Sequence, residues 1–156
     1  MDARWIEIDT DLQTAIDHFE KSIALHELGG FSQPGLKGYQ AEMALMHALQ
    51  SAHTSLENAL LRVLEMLGEE RPEGRNWHAD LIRRVAVALP QRRPAILSEA
   101  LAKSADETRR FRHRATHNYD SFEILDLEPT IEAARLLVSG LMNEVNAFKI
   151  KIDPTD

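Results

Sequence analysis

Toward the end of the chain, Ile131, Ala134, Val138, Leu141, Val145 and Phe148 recur in alternating steps of three and four residues without a miss. That spacing gathers six side chains on one stripe of an α-helix and would scatter them over both faces of a strand. The same pattern recurs upstream. Leu12, Ile16, Phe19 and Ile23 mark a first helix that opens after Asp9 or Thr10, either of which can cap it, and closes at Gly29-Gly30. Residues Phe31 to Gly38, with one proline and two glycines, read as a loop. A long helix from Tyr39 to Leu67, stopped by Gly68, follows. It carries Leu45, Leu49, Leu56, Leu60, Val63 and Leu67 in one stripe, with Met43, Met46 and Leu64 off it. A helix apolar on more than one side belongs at the centre of a bundle.

Pro72 and Gly74 interrupt helix, and Asn76 is placed to cap a short one with Leu81, Ile82, Val85 and Leu89 that Pro90 stops. Pro94 reads as a first-turn proline opening a fourth helix to about His117, with Asn118 as its left-handed terminator, and Pro129 opens the last. No stretch reads as a strand. The expected fold is all-α: a compact antiparallel bundle of about five helices joined by short connections. With 156 residues and no linker, repeat or low-complexity segment, residues 1–156 are expected to form a single domain.

The absence of cysteine excludes disulfides and thiolate chemistry and fits a cytoplasmic location. No apolar run approaches the length of a bilayer span, and Met1-Asp2-Ala3-Arg4-Trp5 has no apolar leader character, so no membrane partner is expected. A net charge of −7 speaks against a surface coated in nonspecific nucleic-acid contacts. Binding to RNA therefore needs a local concentration of positive charge. Arg109, Arg110, Arg112 and Arg114 provide one, interleaved with His113.

At 100° per residue, Leu97, Leu101, Ser104, Thr108, Phe111 and Ala115 fall within about 40° of one line and should face the core. Arg109, Arg110, His113 and His117 fall opposite, and Arg112 lies on the flank. A charge run on a helix is ordinarily solvated surface. Here, however, Arg109/His113 and Arg110/Arg114 are like-signed i,i+4 neighbours, which destabilise a helix by about a few tenths of a kcal/mol. The nearest acids, Asp106, Glu107 and Asp120, stand at the margins. A bound phosphate would offset the repulsion.

His113 and His117 have metal-ligand spacing, but the arginines repel a cation and no Glu adjoins the first His, so no metal site is assigned. The other five histidines (His18, His26, His47, His53, His78) show no shared ligand pattern and read mostly as surface or packed neutral residues. His53 and Glu57, one helical turn apart, are placed for a simple hydrogen bond.

The stretch from Phe111 through Arg112, His117 and Tyr119 to Asp120 resembles the signature of HEPN ribonucleases, an Arg and a His a few residues apart. It is closer still to their HepT-like group, whose pattern reads R-x-x-x-x-H-x-Y. Leu56-Glu57-Asn58-Ala59-Leu60-Leu61, Trp77-His78 before Leu81-Ile82, Arg93-Pro94 with Ile96-Leu97, and Phe148 are similar to the same group, so the resemblance runs from about Ser51 to Phe148. His113 departs from the wider pattern, which often has Asn or Asp there. It leaves open whether this residue orients the site or joins proton transfer.

The resemblance implies a HEPN-like homodimer whose two motifs line a shared cleft. It implies an RNA endonuclease toxin of a type II-like toxin–antitoxin pair, cutting without a metal or other cofactor. Arg112 and His117 would be catalytic, with His113, Arg109, Arg110 and Arg114 supporting them or holding phosphate. A cognate nucleotidyltransferase antitoxin would silence the toxin by transferring AMP to Tyr119.

Imidazole suits a general base or acid for attack by a ribose 2′-OH on the adjacent phosphate, which is the role expected of His117. The planar fork of Arg112 suits the charge that develops on the phosphate oxygens. Five residues separate the two, about 140° around an ideal helix, so a straight helix does not aim both at one phosphate. Either the helix ends or kinks before His117, or one residue works with groups of the partner subunit. Tyr119 also reads as a boundary residue covering the end of the bundle. Two other functions fit such helices: a non-catalytic module presenting substrate to a separate nucleotidyltransferase, and a plain dimerisation bundle whose cationic face docks an acidic partner.

Overall fold

A computed structural model of the chain describes residues 2–117 and 126–154. Among these residues it contains five helices and no strand: α1 (Arg4–Leu28), α2 (Leu36–Met66), α3 (Trp77–Val85), α4 (Glu99–His117) and α5 (Glu128–Ile152). The all-α bundle expected from periodicity is the fold observed. None of these helices is long and apolar enough to cross a membrane.

The helices sit where their apolar stripes dictate. Leu12, Ile16 and Phe19 of α1, Leu45, Leu49, Leu56, Leu60 and Val63 of α2, and Ile131, Leu141, Val145 and Phe148 of α5 form one buried core. The off-stripe Met46 and Leu64 are buried too, because α2 packs against α1, α3 and α4. α1 and α2 run antiparallel: Arg62 reaches back to Glu7 and Asp11 at 2.7 Å each, while His47 meets His18 further along. α5 lies antiparallel to α1, with Lys149 near Asp9 and Glu128 near His26. It is also antiparallel to α4, with Glu144 opposite Ser98 and Gly140 against Leu101. A Cβ at Gly140 would stand 3.3 Å from the Leu101 side chain.

Several helix ends differ from expectation, each for a physical reason. α1 opens at Arg4, a full turn and more before Asp9 and Thr10. The indole of Trp5 donates to Asp153 Oδ2 at 3.1 Å, the Asp2 N–H donates to the same oxygen at 2.7 Å, and Trp5 and Ile8 are buried. The Asp2 carboxylate accepts the Arg4 backbone N–H at 2.9 Å, and its hydrogen bonds to the Arg4 guanidinium and backbone lower it to about 2. Thr10, a capping type by composition, instead turns its hydroxyl back to the Ile6 carbonyl inside the helix.

Gly38, expected in the loop, belongs to the first turns of α2. The Gln33 carbonyl oxygen lies 2.0 Å from where its Cβ would be, so the preceding loop closes only over a glycine.

α3 ends at Val85 rather than running on to Pro90, and α4 opens at Glu99 rather than at Pro94. The Ile96 and Leu97 N–H groups both donate to the Val85 carbonyl, which terminates α3 and holds 96–97 in a buried bend. Ser98 then caps α4: its hydroxyl accepts the Leu101 N–H at 3.1 Å and donates to Glu144 of α5 at 2.7 Å.

Arg93 fixes this connection. Its side chain is 2% exposed, pairs through both Nε and Nη2 with Glu69, and donates to the carbonyls of Arg84, Val87 and Pro94. Removing one partner of a buried pair leaves the other uncompensated, at a cost of about 3–5 kcal/mol. Urea denaturation should show Arg93→Ala destabilised by about that much, while Leu136→Ala, at a 47% exposed site, stays within about 0.5 kcal/mol of wild type.

Candidate active site

Glu57 stands on the buried side of α2 between Leu56 and Leu60, with only 4% of its side chain exposed. A carboxylate there is costly unless paired and hydrogen-bonded. Three side chains from three helices meet it. Arg112 of α4 donates from Nη1 to Oε1 at 2.9 Å, and His78 of α3 donates from Nδ1 to Oε2 at 2.5 Å. His53 Nε2, one turn back on α2, lies 3.4 Å from Oε2, close enough for charge but off the angle of a hydrogen bond.

The other nitrogen of His53 is 2.8 Å from Thr108 Oγ1, and that hydroxyl donates its single proton to the Ala105 carbonyl. His53 Nδ1 therefore carries a hydrogen and donates to Thr108. Burial alone would push the Glu57 carboxyl up; interaction with His53 and then His78 outweighs it and holds the group below the ordinary carboxylate value.

Two expectations need correcting here. His53 and His78 do not stand apart as unrelated histidines: both converge on one carboxylate. The His53–Glu57 approach, at 3.4 Å, lacks the geometry of the simple hydrogen bond expected. The signal available in the sequence was a Glu at an apolar-stripe position of α2; that His78 completes the group depends on how the 67–76 connection returns the chain.

The arginine cluster is likewise less bare than the sequence implied. Asp106 pairs with Arg109 at 2.7 Å and with Arg110 at 3.0 Å, Glu107 lies 3.5 Å from Arg114, and Glu57 holds Arg112. The marginal acids reach in because arginine side chains fold back three to seven residues along the helix. The repulsion that called for a phosphate is therefore largely relieved within the chain.

A cleft of about 470 Å³ opens beside this group, between the start of α3 and the outward face of α4. Arg75, Asn76 and His78 edge it on one side and Arg109, Arg112, His113 and His117 on the other, with His53 beneath. Arg75 is exposed and has no carboxylate partner among the described residues, so it is a free cation that sequence reasoning missed. Arg110 and Arg114 do not line the cleft.

His117 Nδ1 lies 2.8 Å from the His113 carbonyl oxygen, and the two imidazoles stack with centroids 4.1 Å apart. A carbonyl only accepts, so Nδ1 carries the hydrogen and a neutral His117 has its lone pair on Nε2. α4 runs as helix through His117, so it does not end before that residue. Arg112 and His117 border one cleft all the same, because the arginine is long enough to reach from the flank. Arg112 also edges a second hollow with Ser51, Thr54 and Ser55 of α2. Asn118, Tyr119 and Asp120 lie outside the described residues.

Among the described residues, no three His, Asp or Glu side chains are grouped to hold a metal ion. Residues 44–152 match the family described as HepT-like protein. No curated protein and no solved structure matches the chain.

The pairing at Glu57 has a consequence for acid stability. Its folded value lies below the reference of 4.5, so its ionised form stabilises the fold at neutral pH. That contribution fades as pH falls from about 4.5 toward the folded value, because the unfolded chain takes the proton first. Urea midpoints measured from about pH 6 to pH 3 should fall more steeply for wild type than for Glu57→Gln, which has no proton to bind there.

Proposed function

The chain belongs to the HepT-like family, and from that membership and the cleft between α3 and α4 we propose that it is an RNA endonuclease, the toxin of a type II-like toxin–antitoxin pair. The observation that carries this reading is an imidazole whose Nε2 has no partner among the described residues, bordering the same cleft as an arginine fork. In the proposed reaction His117 Nε2 takes the proton of a ribose 2′-OH. The freed oxygen attacks the adjacent phosphorus, and the products end in a 2′,3′-cyclic phosphate and a 5′-OH. Arg112, already held by Glu57, binds the phosphate and stabilises charge developing on its oxygens. Arg75 and Arg109 add positive charge along the cleft, and His113 orients His117 by stacking on it. No metal is required for these steps.

Regulation in this reading falls on Tyr119. A cognate nucleotidyltransferase antitoxin transfers AMP from ATP to its hydroxyl, and the added phosphodiester, two residues beyond His117, competes with RNA for the cationic cleft. The active species is a homodimer with the two motifs facing a shared groove, and its place of action is the cytoplasm.

A second reading, a non-catalytic module that presents substrate to a separate nucleotidyltransferase, draws on a specific observation. Arg109, Arg110, Arg112 and Arg114 each already have a carboxylate partner, as a purely structural cluster would.

Cleavage of single-stranded RNA in EDTA separates the two readings. Wild type should cut, and His117→Ala should lose about 100- to 10,000-fold. An RNA with one 2′-deoxy residue should survive at that position, and cutting there would exclude the 2′-OH mechanism. Growth inhibition on expression should disappear in the same variant. Intact mass after incubation with ATP and the cognate nucleotidyltransferase should rise by one or more AMP units in wild type and not in Tyr119→Phe. An equal gain in both would remove Tyr119 as the acceptor.

A further inference from the structure

Cleaving a phosphodiester through its own 2′-OH moves two protons, one off the nucleophile and one onto the leaving 5′-oxygen. One imidazole that begins as the base holds only the first. Resting on the ribonuclease reading above, we propose that His78, oriented by the buried Glu57, is a second catalytic residue of the cleft and protonates the leaving oxygen.

Three observations single it out. His78 Nδ1 is committed to Glu57 Oε2 at 2.5 Å, and Nε2 has no partner among the described residues, so it is the nitrogen placed to act. Its ring is stacked on Trp77 at 3.6 Å with the planes 28° apart, so both tilt and position are fixed. Its side chain is 34% exposed and lines the cleft from α3, whereas His117 lines it from α4. Base and acid thus come from two different helices, as displacement at phosphorus requires groups on either side of it.

Other proton donors in the cleft are less suited. His113 leans on His117 itself, arginines do not release protons at working pH, and the Thr116 hydroxyl donates to the Arg112 carbonyl. Glu57 is a positioning residue: one oxygen fixes the proton donor and the other fixes the phosphate-binding fork. Among the described residues, the other charged or titratable groups facing His78 are His53 from α2, Arg75 ahead of α3, and Arg109, Arg112, His113 and His117 from α4.

The step balances. The 2′-oxygen bonds to phosphorus as its proton passes to His117 Nε2. The bond from phosphorus to the 5′-oxygen breaks as the proton on His78 Nε2 passes to that oxygen. Solvent then returns both imidazoles to their starting states.

The test compares one RNA in two forms, with the natural 5′-oxygen leaving group or a 5′-sulfur, which departs without protonation. His78→Asn should cut the oxygen substrate about 100- to 10,000-fold more slowly than wild type and recover to within about tenfold on the sulfur substrate. His117→Ala should stay slow on both. A measurement on wild type alone guards against a variant that does not fold: the oxygen substrate should show a fall in rate at high pH, and that fall should vanish with sulfur. A folded His78→Asn that cuts the oxygen substrate as fast as wild type, or that loses equally on both substrates, overturns the assignment. So does a wild-type alkaline limb unchanged by sulfur. Wild type that cuts neither substrate overturns the ribonuclease reading itself, and the role of His78 with it.

Discussion

The site is organised around a carboxylate removed from water. Taking Glu57 into the core costs several kcal/mol before any partner is counted, and the three side chains that offset it come from different parts of the chain: His53 from its own helix, His78 from α3 and Arg112 from α4. Apolar packing brings α2, α3 and α4 together, but it does not specify rotation or slide to the fraction of an ångström that a hydrogen bond demands. The convergence on Glu57 does. The demand of one buried charge therefore sets the relative placement of an arginine fork and an imidazole, and chemistry at the cleft inherits that precision.

Much of the fold was legible because helix periodicity is a local signal. The stripes of α4 and α5 are read from three- and four-residue steps, and Leu101, Thr108, Phe111, Ala115, Leu141 and Phe148 are buried as those steps require. Helix ends were less legible because competing local signals are settled by distant contacts. Thr10 has the chemistry of a cap, yet α1 starts at Arg4 because Trp5 and Asp2 both find Asp153 at the far end of the chain. Pro94 has the chemistry of a helix start, yet Ser98 takes that place because Glu144 of α5 stands opposite it.

For the site, the cationic character of α4 was readable and its compensation was not. Asp106 and Glu107 are only a turn or two from the arginines, but their partners depend on side-chain direction. Glu57 is 55 residues from Arg112 and 21 from His78. Arg75 carried no motif at all; the return of the chain into α3 makes it part of the cleft. The apparent conflict between Arg112 and His117 came from treating side chains as radial spokes. A continuous helix can present both to one cleft because a guanidinium lies several bonds from its backbone.

The Arg93 cluster bears on how the cleft keeps its shape. A helix of nine residues is too short to persist by itself in water, and α3 contributes only Leu81, Ile82 and Val85 to the core. Its C-terminal end is held by Arg93, whose guanidinium gathers Glu69 and three backbone carbonyls around the segment leaving that helix. One wall of the cleft is thus a borrowed structure, held in part by a buried arginine that does not itself line the cleft.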